Sequence, residues 1–228
     1  ERENPRPLKN VYLGPEYDEK EIEEFLTGLG VRFNKMNGKT LYDEIAGHID
    51  NQKVIGWFQG RMEYGPRALG NRSIVADARN KENWQRVNLK IKFRESFRPF
   101  APSVLEEDLS EYFDTDVATP YMLLVSQVRK QEIPAVTHVD NSARIQSVSR
   151  EENERYHELI SAFKQLTGTP VIINTSFNVR GEPIVCTPED AMKCFLRTDM
   201  DVLVLGDHVI TKDDIDKEIA QKSTHVVD

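Results

Sequence analysis

The apolar run Val54-Ile55-Gly56-Trp57-Phe58 reads as a buried strand, and the residues after it cannot continue one. Gly60, Gly65, Pro66 and Gly70 punctuate the segment 60–73, which makes it a loop leading into a second apolar run, Ser73-Ile74-Val75-Ala76. Arg61, Arg67 and Arg72 share that loop. Guanidinium forks beside glycine-exposed N–H groups suit phosphate or carboxylate. A solvated basic loop has the same composition, so composition alone leaves both readings open.

Charge favours the ligand. The chain carries a net −8, yet residues 61–98 hold seven Arg and three Lys against four acids. A basic island in an acidic chain suits a small anionic ligand and argues against general nucleic-acid binding. No apolar run approaches the ~20 residues of a membrane span. Residues 1–10 are polar, contain Pro5 and Pro7, and lack an initiator Met and a signal sequence. They are expected to be a linker from an N-terminal domain outside this chain. Two cysteines, Cys186 and Cys194, make neither a disulfide framework nor a zinc site and are expected to be core thiols in a reducing cytoplasm. The five histidines lack metal-ligand spacing, and His138 is expected to be a loop histidine.

The remaining pattern alternates strands and helices irregularly. Asp18 and Glu21 form a capping-box pair opening a helix that Gly30 ends. A second helix is expected over Thr40–Ile49. Asn80 caps a third, with Trp84, Val87 and Ile91 at helical spacing. Others are expected over Glu151–Leu166 and Pro188–Leu196. Strands are expected at 54–59, 73–76, 121–128, 143–148, 170–174 and 202–205, with 129–142 a surface loop and 211–228 a charged tail. A twisted mixed β-sheet with packed helices, an α/β fold of mixed α+β character, fits this order over residues 11–210.

Two short pairs could carry chemistry. Lys92 and Arg94 point about 200° apart on a helix but the same way on extended chain. The helix should end near Ile91, and Arg98-Pro99 favours extension beyond it, so the pair is expected to project together. Two unrelated cations at a helix C-terminus would have the same spacing. Ser176 and Asn178 end a buried strand, where small polar residues often line a ligand crevice. Arg180 follows by two, on the same side if the chain stays extended, and Arg144 lies in the strand-like stretch after residues 138–142.

Three segments resemble one family: Tyr64-Gly65-Pro66-Arg67-Ala68-Leu69-Gly70-Asn71-Arg72-Ser73, Lys92-Phe93-Arg94-Glu95-Ser96-Phe97-Arg98-Pro99-Phe100-Ala101-Pro102, and Asn174-Thr175-Ser176-Phe177-Asn178-Val179-Arg180-Gly181-Glu182-Pro183. Their order and content resemble the C-terminal domain of NodU/CmcH-type O-carbamoyltransferases, from about Val11 to about Val209. The resemblance implies a YrdC-like fold. It also implies a site that binds ATP with Mg²⁺ and carbamoyl phosphate, makes carbamoyl adenylate, and passes the carbamoyl group to a hydroxyl of a small-molecule acceptor. By the same resemblance Lys92, Arg94, Ser176 and Asn178 hold the nucleotide, and Lys92, Arg144 and Arg180 supply catalytic charge. No metal site is implied in this part. Arg67 and Arg72 are expected to sit in a mobile, exposed loop facing the upstream domain, short of partners.

Two rivals remain open. The YrdC-like pocket would also suit a threonylcarbamoyl-adenylate synthase of tRNA modification, against which the long loop and the acidic balance count. A non-enzymatic RNA-binding module would need tight, salt-sensitive RNA binding.

Overall fold

The computed structural model describes residues 10–93 and 99–215. The linker expected over 1–10 and the tail beyond 215 therefore lie outside the described residues, Asn10 excepted. In chain order the described elements are α1 (Glu19–Leu29), β1 (Asn34–Lys35), α2 (Gly38–Asp50), β2 (Ile55–Phe58), β3 (Arg72–Asp77), α3 (Lys81–Arg86), β4 (Ala101–Leu105), α4 (Leu109–Tyr112), β5 (Val125–Gln127), β6 (Ser142–Arg144), β7 (Gln146–Val148), α5 (Glu154–Thr167), β8 (Val171–Ser176), α6 (Pro188–Leu196), β9 (Val202–Leu205) and β10 (His208–Thr211). One mixed sheet runs β1-β10-β9-β2-β3-β8-β4-β7, and β5 pairs with β6 in a two-stranded sheet. The β2/β9 and β4/β7 pairs are parallel and the others antiparallel. The mixed sheet with packed helices is the architecture expected.

Side-chain alternation sorts the core onto two faces. Ile55, Trp57, Val75, Ile172, Val202 and Val204 meet α2 and α5 through Leu41, Ile45, Leu159 and Phe163. Phe58, Ile74, Ala76, Ile173, Leu203 and Leu205 meet α1 and α6 through Ile22, Leu26, Met192 and Phe195. Gly56 leaves room for Phe177, whose ring would lie 2.6 Å from a Cβ there.

The capped helices form as expected. Asp18 and Glu21 make a reciprocal capping box, and Gly30 closes α1 at φ 72. Thr187 and Asp190 do the same for α6, with Pro188 in its first turn. The strand expected over 143–148 is instead two, because the chain changes sheets at Ile145, whose N–H bonds Leu124 O at 3.2 Å. Of the strand expected over 121–128, Val125–Gln127 pairs with β6 and Val128 makes an isolated bridge to Phe113. Cys194 is a core thiol pushed up to about 12 by burial, whereas Cys186 is only half-buried.

His208 ties α1 to the sheet edge. Its buried ring lies 3.3 Å from Glu19 and 3.5 Å from Glu23 and meets Phe33 edge-on at 4.9 Å. Burial pulls its pKa down, but the hydrogen bonds to both carboxylates outweigh that and hold it above the ordinary histidine value. A raised folded pKa gives stability that is complete below the unfolded value of about 6.5 and fades as pH rises through the folded one. The urea midpoint is therefore expected to fall as pH rises above about 6.5, and His208→Gln should flatten that slope.

Candidate functional site

The helix begun by α3 ends in a π-turn, Val87–Ile91. The Lys92 N–H reaches back to Val87 O at 2.8 Å, and Phe93 then takes a left-handed φ of 47°. Lys92 thus closes a wide helical turn (φ −84°, ψ −13°) and is not on extended chain as expected. A π-turn often marks a functional site. Arg94 lies outside the described residues.

The lysine nevertheless meets the strand end that the sequence pairs it with. Lys92 is 3% exposed. Its ammonium donates to Ser176 O, to Asn178 O at 2.8 Å and Asn178 Oδ1 at 2.7 Å, and lies 3.4 Å from Ser176 Oγ. Ser176 Oγ donates to Asn178 Oδ1 at 2.8 Å, and Asn178 Nδ2 to Glu182 O at 2.8 Å. This makes a tight polar turn at the carboxyl end of β8 with a positive charge enclosed in it. Arg180 does not continue on extended chain beside Asn178. It sits exposed in a turn closed by Glu182 N to Val179 O at 3.3 Å, which Gly181 permits with φ 83°.

Arg144, on β6, and Arg67 share a second feature. Both line a cavity of about 370 Å³, with Tyr64, Leu69, Tyr121 and Leu123 around them. Arg144 Nε is buried without a hydrogen-bond partner. Burial and then the neighbouring Arg67 charge pull the Arg144 pKa down. Among the described residues lining this cavity there is no carboxylate. A half-buried Arg144 with the exposed Arg67 charge beside it favours an anion between the two.

Arg72 corrects the expectation of an exposed loop short of partners. It is fully buried. Its guanidinium donates to Gln59 O (2.7 Å), Asn71 O (2.9 Å), Gly60 O (3.2 Å) and Pro15 O (3.2 Å), and it stacks 3.6 Å from the Phe58 ring centroid. Burial lowers its pKa to about 10. Glu63 works from the other side, its Oε1 accepting from the N–H groups of Leu69 (2.6 Å), Asn71 (2.7 Å) and Arg72 (3.3 Å). Beneath the loop, Asn174 Nδ2 donates to Ala68 O at 3.2 Å and Gln146 Nε2 to Leu69 O at 2.9 Å. Arg61 and Tyr64–Arg67 are the parts of this stretch that remain exposed. Glu63, Gln146 and Asn174 were not foreseen, because each acts on backbone groups that no spacing rule reveals.

The histidines and carboxylates of the described residues include no group of three that could hold a metal ion, and no described helix is long and apolar enough to cross a membrane.

Comparison with known proteins places these features in a family. The chain is 48% identical to an uncharacterized protein of Synechocystis sp. over 91% of its own length, and 45% identical to nodulation protein NolO of Bradyrhizobium diazoefficiens over 90%. It is 41% identical over 73% of its length to the 3'-hydroxymethylcephem-O-carbamoyltransferase of Amycolatopsis lactamdurans. The chain spans 38%, 39% and 32% of these relatives' own lengths. Its fold is shared with 25% of full-length HypF, solved in a phosphate- and nucleotide-bound form, at a TM-score of 0.52 over 74% of this chain and 16% identity. That likeness speaks to the fold, the YrdC-like one that the motifs led us to expect. Residues 46–212 match the family described as carbamoyltransferase C-terminus, and the chain therefore belongs to that family.

Proposed function

We propose that this chain is the part of an O-carbamoyltransferase that binds ATP and carbamoyl phosphate and joins them as carbamoyl adenylate. The observation that carries the reading is the convergence of Lys92 on Ser176 and Asn178, two motifs 84 residues apart meeting in one polar turn. The Arg67–Arg144 cavity supports it, as do the name of the cephem carbamoyltransferase relative and the nucleotide-bound state of HypF.

The chemistry asks mainly for positioned positive charge. Water first hydrolyses carbamoyl phosphate, breaking its bond to phosphate and giving carbamate and inorganic phosphate; a carbamate oxygen then attacks the α-phosphorus of ATP, and pyrophosphate departs. The attacking oxygen is already anionic, so no general base is needed. Charge accumulating on the phosphorus oxygens has to be met by fixed cations. Lys92 keeps one at the end of β8, Arg144 and Arg67 supply two more, and Arg180 and Arg94 are assigned to the same anions. Ser176 and Asn178 orient the nucleotide. Mg²⁺ arrives as part of the nucleotide substrate. Transfer to the acceptor hydroxyl falls to the remaining length that the longer relatives possess.

Titration calorimetry of the chain with Mg-ATP and carbamoyl phosphate tests this. At ~100 Kd of nucleotide the fold should gain roughly 2.7 kcal/mol. Arg144→Ala should weaken carbamoyl phosphate binding by about 1.5–3 kcal/mol, the worth of one charge-assisted hydrogen bond. Binding of threonine with bicarbonate, and none of carbamoyl phosphate, would move the chain to threonylcarbamoyl adenylate synthesis.

A further inference from the structure

The two arginines of the anion cavity come from distant parts of the chain, Arg67 from the loop after β2 and Arg144 from β6. Carrying the same charge, they repel each other, and the exposed Arg67 would swing outward unless its loop were held. A fixed separation therefore needs a tie between the two segments.

One side chain makes that tie. Gln146 Nε2 donates to Leu69 O at 2.9 Å. Gln146 lies two residues beyond Arg144, and Leu69 lies two residues beyond Arg67. The bond thus joins both arms at the same short distance from the residues that bear the charge. Leu69 is itself a wall of the cavity. Both of its main-chain groups are gripped, the N–H by Glu63 Oε1 at 2.6 Å and the carbonyl also by the Tyr12 hydroxyl at 3.1 Å.

Gln146 has no freedom to turn. It is 2% exposed, and its Oε1 accepts from Asn174 Nδ2 at 2.7 Å and from Ser103 Oγ at 2.6 Å. The serine oxygen receives the Tyr156 proton at 3.0 Å, which leaves its own proton for the glutamine. Turning the amide over would set oxygen against Leu69 O and the amino group against Asn174 Nδ2, so one orientation is allowed. The other proton of Asn174 Nδ2 goes to Ala68 O at 3.2 Å, and Ala68 stands between Arg67 and Leu69. None of these bonds runs to either guanidinium. The network acts on where the charges stand and adds none of its own.

We propose that Gln146 is a positioning residue of the anion site, holding Arg67 against the repulsion of Arg144 so that the pair is spaced before an anion arrives. Tyr12 assists it through the same carbonyl. The inference rests on the carbamoyl phosphate reading above and adds to it the residue that sets the spacing of the two cations.

The test is a double-mutant cycle, read by calorimetric titration with carbamoyl phosphate alone on the parent chain, Gln146→Met, Arg67→Ala and the pair. Methionine fills a similar volume without the amide. Gln146→Met should weaken carbamoyl phosphate binding roughly three- to tenfold, and by no more than Arg67→Ala does. On the Arg67→Ala background the same substitution should change the affinity by less than about twofold, because the charge it places is gone. Tyr12→Phe keeps the ring and removes one of the two donors to Leu69 O. It should weaken binding by a smaller factor, about twofold, with the same dependence on Arg67. Tyr12→Phe decides alone if Gln146→Met does not fold. Equal losses with and without Arg67, or a lowered melting temperature with unchanged affinity, would overturn the positioning role and leave the carbamoyl phosphate reading standing. A folded parent that does not bind carbamoyl phosphate would overturn both.

Discussion

Gly70→Ala is expected to remove several kcal/mol from the stability of the fold. Gly70 has φ 106°, and a Cβ there would lie 2.3 Å from Tyr156 Cδ1 and 2.5 Å from Cγ. Neither side can give way. Tyr156 is fully buried and its hydroxyl donates to Ser103 Oγ at 3.0 Å. Gly70 N–H donates to Ser73 Oγ at 3.0 Å, and Gly70 O accepts from Gln59 Nε2 at 2.8 Å. Overpacking costs about 1–3 kcal/mol and a forced left-handed backbone about as much again, against a total stability of about 5–15. For a chain of this size each kcal/mol lowers Tm by about 2–4 °C. Gly65→Ala is the control: its φ is 133°, but a Cβ there meets nothing within 4 Å, so only backbone strain is added. Equal melting temperatures for the two variants would show that Tyr156 does not hold the loop.

Lys92→Met should damage stability and ligand binding together. Methionine fills a similar volume but removes the ammonium donor that Ser176 O, Asn178 O and Asn178 Oδ1 share. Ser176 O keeps the Asn178 N–H at 3.0 Å and Asn178 Oδ1 keeps Ser176 Oγ at 2.8 Å. The main loss is therefore the charge-assisted bonding of the turn, with Asn178 O left short of a donor, and about 1.5–3 kcal/mol is expected in urea denaturation. ATP affinity should fall by at least the worth of one charge-assisted contact, about 1.5 kcal/mol or tenfold. Ser176→Ala removes only the longer 3.4 Å contact and the serine's own bond to Asn178, and should unfold close to the parent. If Lys92→Met unfolds like Ser176→Ala and still binds ATP, the lysine is neither the brace of the turn nor a phosphate partner.

What the sequence made legible follows from where its signals are local. Asp18 with Glu21, Asn80 and Gly30 announce helix ends within four residues of the groups they satisfy, and those helices form as expected. Lys92 with Ser176 and Asn178 was legible through the family resemblance, since the spacing of Lys92 alone suits an unrelated surface cation equally well. Strand β4 was missed because Pro99 and Pro102 flank and enter it, and proline argues against a central strand. Here the strand lies between β8 and β7, short enough to accommodate one missing donor. Arg72 was misjudged for a different reason. A guanidinium seeking a phosphate and one wrapped in carbonyls are the same residue in sequence, and its acceptors belong to residues 15, 59, 60 and 71. Glu63 is invisible on the same ground, since its partners are main-chain N–H groups that every residue except proline possesses.

The paired grip of Glu63 and Arg72 has a consequence for thermodynamics. One side chain gathers the loop's N–H groups and the other its carbonyls, so the backbone on either side of Tyr64–Arg67 is ordered when the protein folds. Fixing a flexible residue costs about 1–2 kcal/mol of entropy, and a floppy loop would charge that cost against every ligand it closed upon. Here the ordering belongs to folding, and an anion entering between Arg67 and Arg144 meets a preorganised frame. Binding should then show little of the heat-capacity change that accompanies coupled folding. Affinity differences among Arg67 and Arg144 variants will report guanidinium charge and geometry, unmixed with refolding of the chain that carries them.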